Sequence, residues 1–216
     1  MSSHAEALEQ AIEHPHEIDE EGSRLGMWLF LFTELLLFGG MFLLYSVYRA
    51  THPQEFFLSA TELNAFLGAT NTLVLLTSSL TVALSIEALR RGNRKATIWL
   101  LIGTITLALT FLVIKYFEWS AKFHHGIFPG SEYLLGRSSG EQLFFSLYFT
   151  MTGLHGLHVV IGAIVLSFML YFIAKKPPEG EKYTPGTPIK LENAGLYWHL
   201  VDIIWIFLFP LFYLIT

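Results

Sequence analysis

Five long apolar stretches constrain this 216-residue chain more than any other feature. They run from about Leu25 to Tyr48, Leu63 to Ile86, Ala96 to Trp119, Gln142 to Ala174 and Asn193 to Ile215. About 20 apolar residues in a helix cross a bilayer core of roughly 30 Å, whereas a spanning strand needs about 10 residues of alternating polarity. No such alternation is present, and a helix satisfies its own backbone N–H and C=O groups inside lipid. The sequence therefore predicts an all-α fold, an integral membrane bundle of five transmembrane helices. The fourth stretch would be about 50 Å long at 1.5 Å per residue, so it must tilt or project from the membrane. Charged residues make up 14% of the chain, against roughly 25% in an ordinary soluble domain, too few to cover a soluble surface.

The net charge of −5 belongs to one end. Residues 1–24 hold seven acids (Glu6, Glu9, Glu13, Glu17, Asp19, Glu20 and Glu21) and one base, Arg24. The domain reading is an acidic tail over 1–24 and a five-helix membrane domain over 25–216. Ser3 and Glu6 fit a capping box before a short amphipathic helix carrying Ala5, Leu8 and Ile12, which Pro15 ends, with a flexible acidic link beyond. His4, His14 and His16 lie in this tail, as solvated histidines or a metal site. There is no positive start and apolar core of a signal peptide.

Basic residues sort by side. Arg24, the 2–3 loop (Arg90, Arg91, Arg94, Lys95) and the 4–5 loop (Lys175, Lys176, Lys182, Lys190) fall together on an alternating path. The other side has Arg49, Lys122 and Arg137, with Lys115 inside a helix end. The positive-inside rule places the N-terminus in the cytoplasm. Four prolines (Pro177, Pro178, Pro185, Pro188) predict an irregular 4–5 loop, and Pro129-Gly130 predicts a turn in the 3–4 loop. No basic face suited to nucleic acid exists. The sequence has no cysteine, which excludes disulfides, iron–sulfur clusters, thiolate metal sites and cysteine nucleophiles. Internal repeats of the transporter kind are not seen.

Ionisable residues inside spans are costly and are candidates for function. Glu34 sits about 13 Å past Leu25 by helical rise, with no base within a turn. It is read as a proton-exchanging or lipid-facing carboxyl, or as a partner in an interhelical hydrogen bond. His155 and His158 share a face of the fourth helix at i, i+3. They suit a metal or haem only with a third ligand; otherwise they bond between helices beside Gly153, Gly156 and Gly162, read as close-packing positions. His199 and Asp202, also i, i+3, can touch, as a polar node gluing helices or as part of a proton path. Lys115 and Glu118 pair or snorkel, or Glu118 turns toward a histidine of the fourth helix. Glu87 with Arg90 and Arg91 reads as an interfacial ion pair. Trp28, Trp99, Trp119, Trp198 and Trp205 read mostly as an aromatic belt.

These residues resemble a known family. Arg24-Leu-Gly-Met-Trp-Leu-Phe-Leu-Phe-Thr-Glu34 is similar to the Gly-Met-x-Leu-Phe-x-x-Ser-Glu helix of subunit III of haem–copper oxidases. Gly153-Leu-His-Gly-Leu-His-Val-Val-Ile-Gly162 and Tyr197-Trp-His-Leu-Val-Asp202, followed by Trp205, resemble two further motifs of that subunit. Phe117-Glu118-Trp119 matches a helix-end element. The resemblance spans about 24–216. It implies the non-redox subunit III of a proton-pumping terminal oxidase of aerobic respiratory electron transport, of cytochrome c oxidase type. Such a subunit has no catalytic centre, haem, copper or other metal of its own. It packs beside the catalytic subunit I, supports assembly and proton uptake, and protects the active site during turnover. The implied location is the bacterial cytoplasmic membrane.

By the same resemblance Glu34 falls on a buried, carbodiimide-reactive glutamate. Glu118, His155, His158, His199 and Asp202 fall on intramembrane polar positions that hold helices and bound phospholipid. Longer members have seven helices, and this chain lacks the counterparts of the first two; Thr33 replaces a common Ser. The five-helix form also occurs in quinol oxidases and in a nitric-oxide-reductase-associated subunit. An autonomous proton-coupled carrier using Glu34 and Asp202 is the reading from another class.

Overall fold

The computed structural model describes residues 15–175 and 186–215. The expected amphipathic segment, with His4 and His14, lies outside them. Among the described residues there are seven helices and no strand: α1 (Pro15–Thr51), α2 (Pro53–Thr61), α3 (Ala65–Arg90), α4 (Arg94–His124), α5 (Glu132–Leu135), α6 (Ser139–Ala174) and α7 (Gly186–Tyr213). Five of them, α1, α3, α4, α6 and α7, are long and apolar enough to cross a membrane. The predicted all-α bundle with five spans is the fold observed.

The helices outrun the apolar stretches at several ends. The flexible link expected before Leu25 is helical from Pro15. Proline is tolerated in a first helical turn, where its missing N–H has no intrahelical partner. For the same reason Pro188 lies in the first turn of α7 rather than in an irregular loop; residues 176–185 of that loop lie outside the described ones. Pro210 sits inside α7 near its end, where little helix remains to be disrupted.

Short polar signals set the other boundaries. Asn64 accepts from the N–H groups of Phe66 and Leu67 at the start of α3, and Asn93 from Ala96 at the start of α4. Ser131 and Ser138 cap α5 and α6 in the same way. Each such cap is worth about 1 kcal/mol. Between α3 and α4 the chain reverses through Gly92 at φ 74°, a conformation only glycine adopts freely.

Helices α3, α4, α6 and α7 close a ring, each packed on two neighbours, and α1 lies outside it against α6 and α7. Close approach relies on missing side chains. A Cβ on Gly162 would stand 2.7 Å from the Trp198 ring, on Gly68 2.8 Å from Phe209, and on Gly195 2.7 Å from Ile86. Helix α2 lies against α6 and α7 with Phe56, Ser59 and Ala60 buried.

Ion pairs gather at the two ends. At the N-terminal end Glu192 of α7 is 2.9 Å from Arg90 and 3.9 Å from Arg24. Arg90 thus crosses to α7 instead of joining Glu87, which pairs with Arg91 alone at 2.7 Å. Arg94 donates to the carbonyls of Ile173 and Ala174, the last residues of α6. At the opposite end Arg137 bonds Glu62 at 2.5 Å and Lys122 donates to the Glu62 carbonyl.

Candidate functional site

Several of the ionisable residues inside the spans form polar ties between helices. Glu34 of α1 lies 2.9 Å from Nε2 of His158 on α6. The other ring nitrogen of His158, Nδ1, is 2.7 Å from the carbonyl of Leu154. A carbonyl only accepts, so Nδ1 carries a proton. One further proton therefore lies between His158 and Glu34, on whichever partner holds it. The next tie follows directly: the Tyr197 hydroxyl of α7 donates to the His158 carbonyl at 3.1 Å. Farther along, Tyr45 of α1, fully buried, donates to the carbonyl of Leu211 in the last turn of α7.

Glu118 and Lys115 form a denser node. Their charged ends are 3.0 Å apart, both nearly buried. The Tyr213 hydroxyl lies 2.6 Å from Lys115 Nζ and 2.5 Å from Glu118, and Tyr148 bonds the same carboxylate at 2.9 Å. The ammonium also sits 4.8 Å from the Trp205 ring centre, an electrostatically favourable position. Glu118 meets these two tyrosines rather than a histidine. Three helices, α4, α6 and α7, meet at this node. Spacing predicted the Lys115–Glu118 pair, but nothing in the sequence marked Tyr148 or Tyr213, because a tyrosine in an apolar span looks like any interfacial aromatic.

His155 is fully buried and stacks on Trp205, ring centres 5.2 Å apart, with Phe111 edge-on at 5.5 Å. It does not join His158, which faces Glu34. Among the described residues no three histidine, aspartate or glutamate side chains cluster as a metal site would require, and no cysteine exists to help.

His199 and Asp202 do not bond to each other. His199 Nδ1 reaches Ser79 of α3 at 2.6 Å. Asp202 is 3% exposed, and neither of its carboxylate oxygens has a hydrogen-bond partner. Two tryptophans also depart from the belt reading. Trp198 and Trp205 are fully buried and donate to Ser78 and Thr72 of α3, each at 3.0 Å. An indole N–H inside hydrocarbon needs an acceptor, and small hydroxyl residues on the neighbouring helix supply it. Trp28 and Trp99 remain exposed. Of the glycines, Gly153 packs on Trp119, but a Cβ on Gly156 would meet nothing within 4 Å. Gly156 instead lines an open groove of about 630 Å³ with Lys115, Trp119, His124, Gly153 and Val160.

The family model described as "Cytochrome c oxidase subunit III" matches residues 6–216. The chain belongs to the cytochrome c oxidase subunit III family. Among curated relatives, it is 36% identical to cytochrome c oxidase subunit 3 of Alkalihalophilus pseudofirmus, covering 93% of this chain and 91% of that one. It is 31% identical to quinol oxidase subunit 3 of Bacillus spizizenii, over 93% of this chain and 92% of the relative. A haem–copper oxidase subunit I+III of Aeropyrum pernix matches at 29% over 98% of this chain, which spans a quarter of that longer protein. The subunit III family includes subunits of both cytochrome c and quinol oxidases. With five spans, this member is a multi-pass membrane protein.

Proposed function

We propose that this chain is the non-redox subunit III of a proton-pumping haem–copper terminal oxidase of cytochrome c oxidase type. It would sit in a bacterial cytoplasmic membrane with its N-terminus in the cytoplasm. The family match over nearly the whole chain carries this reading, and the fused subunit I+III relative supports docking against subunit I. Haem and copper belong to the partner subunits, and this chain binds neither. Its work is to support assembly, proton uptake and the stability of the neighbouring active site. In this reading Glu34, Glu118, His155, His158, His199 and Asp202 hold the helices rather than carry electrons. Open apolar clefts run beside α1, one of about 430 Å³ lined by Phe30, Val165 and Tyr197, of a kind that acyl chains of a structural phospholipid fill.

The test is isolation of the tagged chain in mild detergent, followed by a haem spectrum and mass spectrometry of co-purifying chains. Haem-bearing partners are expected; recovery of the chain alone would sink the reading. The quinol oxidase relative favours a second reading, in which the donor is a quinol. Oxygen consumption with reduced cytochrome c and with quinol, measured on the same complex, separates the two.

A further inference from the structure

Among the described residues, three buried side chains each leave two polar atoms unpaired: Asn71 on α3, His155 on α6 and Asp202 on α7. All are at most 3% exposed. Each is linked to Trp205, by stacking, through a neighbouring residue or by helix spacing. Trp205 stacks on His155 at 5.2 Å. Its indole N–H donates to Thr72, the neighbour of Asn71. Asp202 lies three residues before Trp205 on α7, about 4.5 Å along the helix axis. The Ser79 hydroxyl, 2.6 Å from His199 Nδ1, stands beside the Asp202 carboxyl group without closing a hydrogen bond of ordinary geometry to it.

Leaving a buried polar group unpaired costs about 1–3 kcal/mol, and the surrounding hydrocarbon offers no partners. Three such residues, one from each of three helices, form a complementary set. The amide and the imidazole each both donate and accept, and the carboxyl group accepts. Separated donors and acceptors of this kind are joined by a small molecule that makes two to four hydrogen bonds, which is water.

We propose that Asn71, His155 and Asp202 line an internal water-binding site at the level of Trp205, inside the ring formed by α3, α4, α6 and α7. The Lys115–Glu118–Tyr148–Tyr213 node borders it, since Lys115 lies over the same indole. Water held there gives the Asp202 carboxyl group a partner with which to exchange a proton inside an otherwise apolar bundle. It also makes three helices share one hydrogen-bonded cluster that none completes alone.

Two measurements on the intact oxidase test this. A cryo-EM map fine enough to show ordered water is expected to place water within hydrogen-bonding distance of all three side chains. A dry site, or direct bonding of the three to one another, overturns the proposal. The second measurement is the thermal midpoint for loss of this subunit in Asn71→Leu. If Asn71 is water-bridged, the change breaks the cluster and lowers the midpoint. If Asn71 is dry and unpaired, removing it relieves a penalty and the midpoint holds or rises, which counts against the site. Should Asn71→Leu fail to assemble, the map of the unaltered complex decides.

Discussion

The side chains of Glu34 and His158 meet at 2.9 Å across 124 positions of sequence, joining α1 to α6. Helix α1 is the least buried of the five spans, and this bond is one of the few polar ties that hold it to the ring. Because His158 also engages its own helix through Nδ1, the imidazole is fixed in orientation and presents Nε2 outward.

Glu34→Leu removes the hydrogen-bond partner of Nε2 and strands it, so about 1–3 kcal/mol of support for α1 is expected to be lost. Glu34→Gln keeps a group able to donate to Nε2 or accept from it and is expected to retain most assembly. The fraction of oxidase still carrying the subunit after detergent purification measures both; equal loss in the two variants contradicts the hydrogen-bond role. A hydrophobic carbodiimide is expected to label Glu34, whose side chain is 15% exposed, well above Asp202.

Lys115→Met leaves the Glu118 carboxylate buried without its cation, and a broken buried pair costs about 3–5 kcal/mol. Severe loss of assembly is expected. Lys115→Met combined with Glu118→Leu removes both charges and is expected to recover part of it. A double variant no better than the single one would show that the tyrosines, not the charge pair, hold the node.

His155→Ala opens a space beside Trp205 and Phe111 and removes a stacked ring. Filled-to-empty changes of an aromatic cost about 3–5 kcal/mol. Reduced assembly with an unchanged haem spectrum in the complexes that do form is the expected outcome. A shifted haem band in an intact complex would tie His155 to the partner's cofactor.

Gly162→Ala and Gly156→Ala are a matched pair on one helix. At 162 the new methyl group meets the Trp198 ring at 2.7 Å, and overpacking of this kind costs about 1–3 kcal/mol. At 156 it meets nothing. Thermal scans of the two complexes should separate them, with only the first destabilised.

Arg137 tests pH dependence outside the spans. Its hydrogen bonds to Glu62 and then Tyr133 hold the guanidinium above its ordinary range. A base raised on folding contributes stability that is complete below its unfolded value, far above neutral pH, and is lost only above it. The Arg137 contribution is therefore flat between about pH 6 and 9. Arg137→Ala is expected to speed proteolysis of the loops around Glu62 and Tyr133 by the same factor at both pH values.

Hydrophobic length alone made the spans legible, since no other element satisfies its backbone over 20 apolar residues. The motif residues were legible as buried, but their partners were not. Glu34 finds His158 and His199 finds Ser79 on distant helices, and a helix-face argument sees only neighbours three or four residues away. That is why His199 and Asp202 looked like a pair and are not one. Trp198 and Trp205 were misread because an aromatic belt and an indole buried against Ser78 or Thr72 leave the same mark on a single helix. Helix ends were hidden wherever polar residues such as those after Pro15 continue a helix beyond its apolar part.

The separation of Glu34 and His158 also sets an order of events during synthesis. Glu34 enters the membrane in the first span, while its partner is not yet made. At about 5–20 residues per second, the 124 residues between them take roughly 6–25 s to appear. For that interval the nascent chain carries an unpartnered carboxyl group in lipid, and α1 has neither α6 nor α7 to lean on. Insertion machinery or a neighbouring subunit that shelters the first span must act within that window, so a defect at His158 would be felt first as a failure of biogenesis, before any electron has moved.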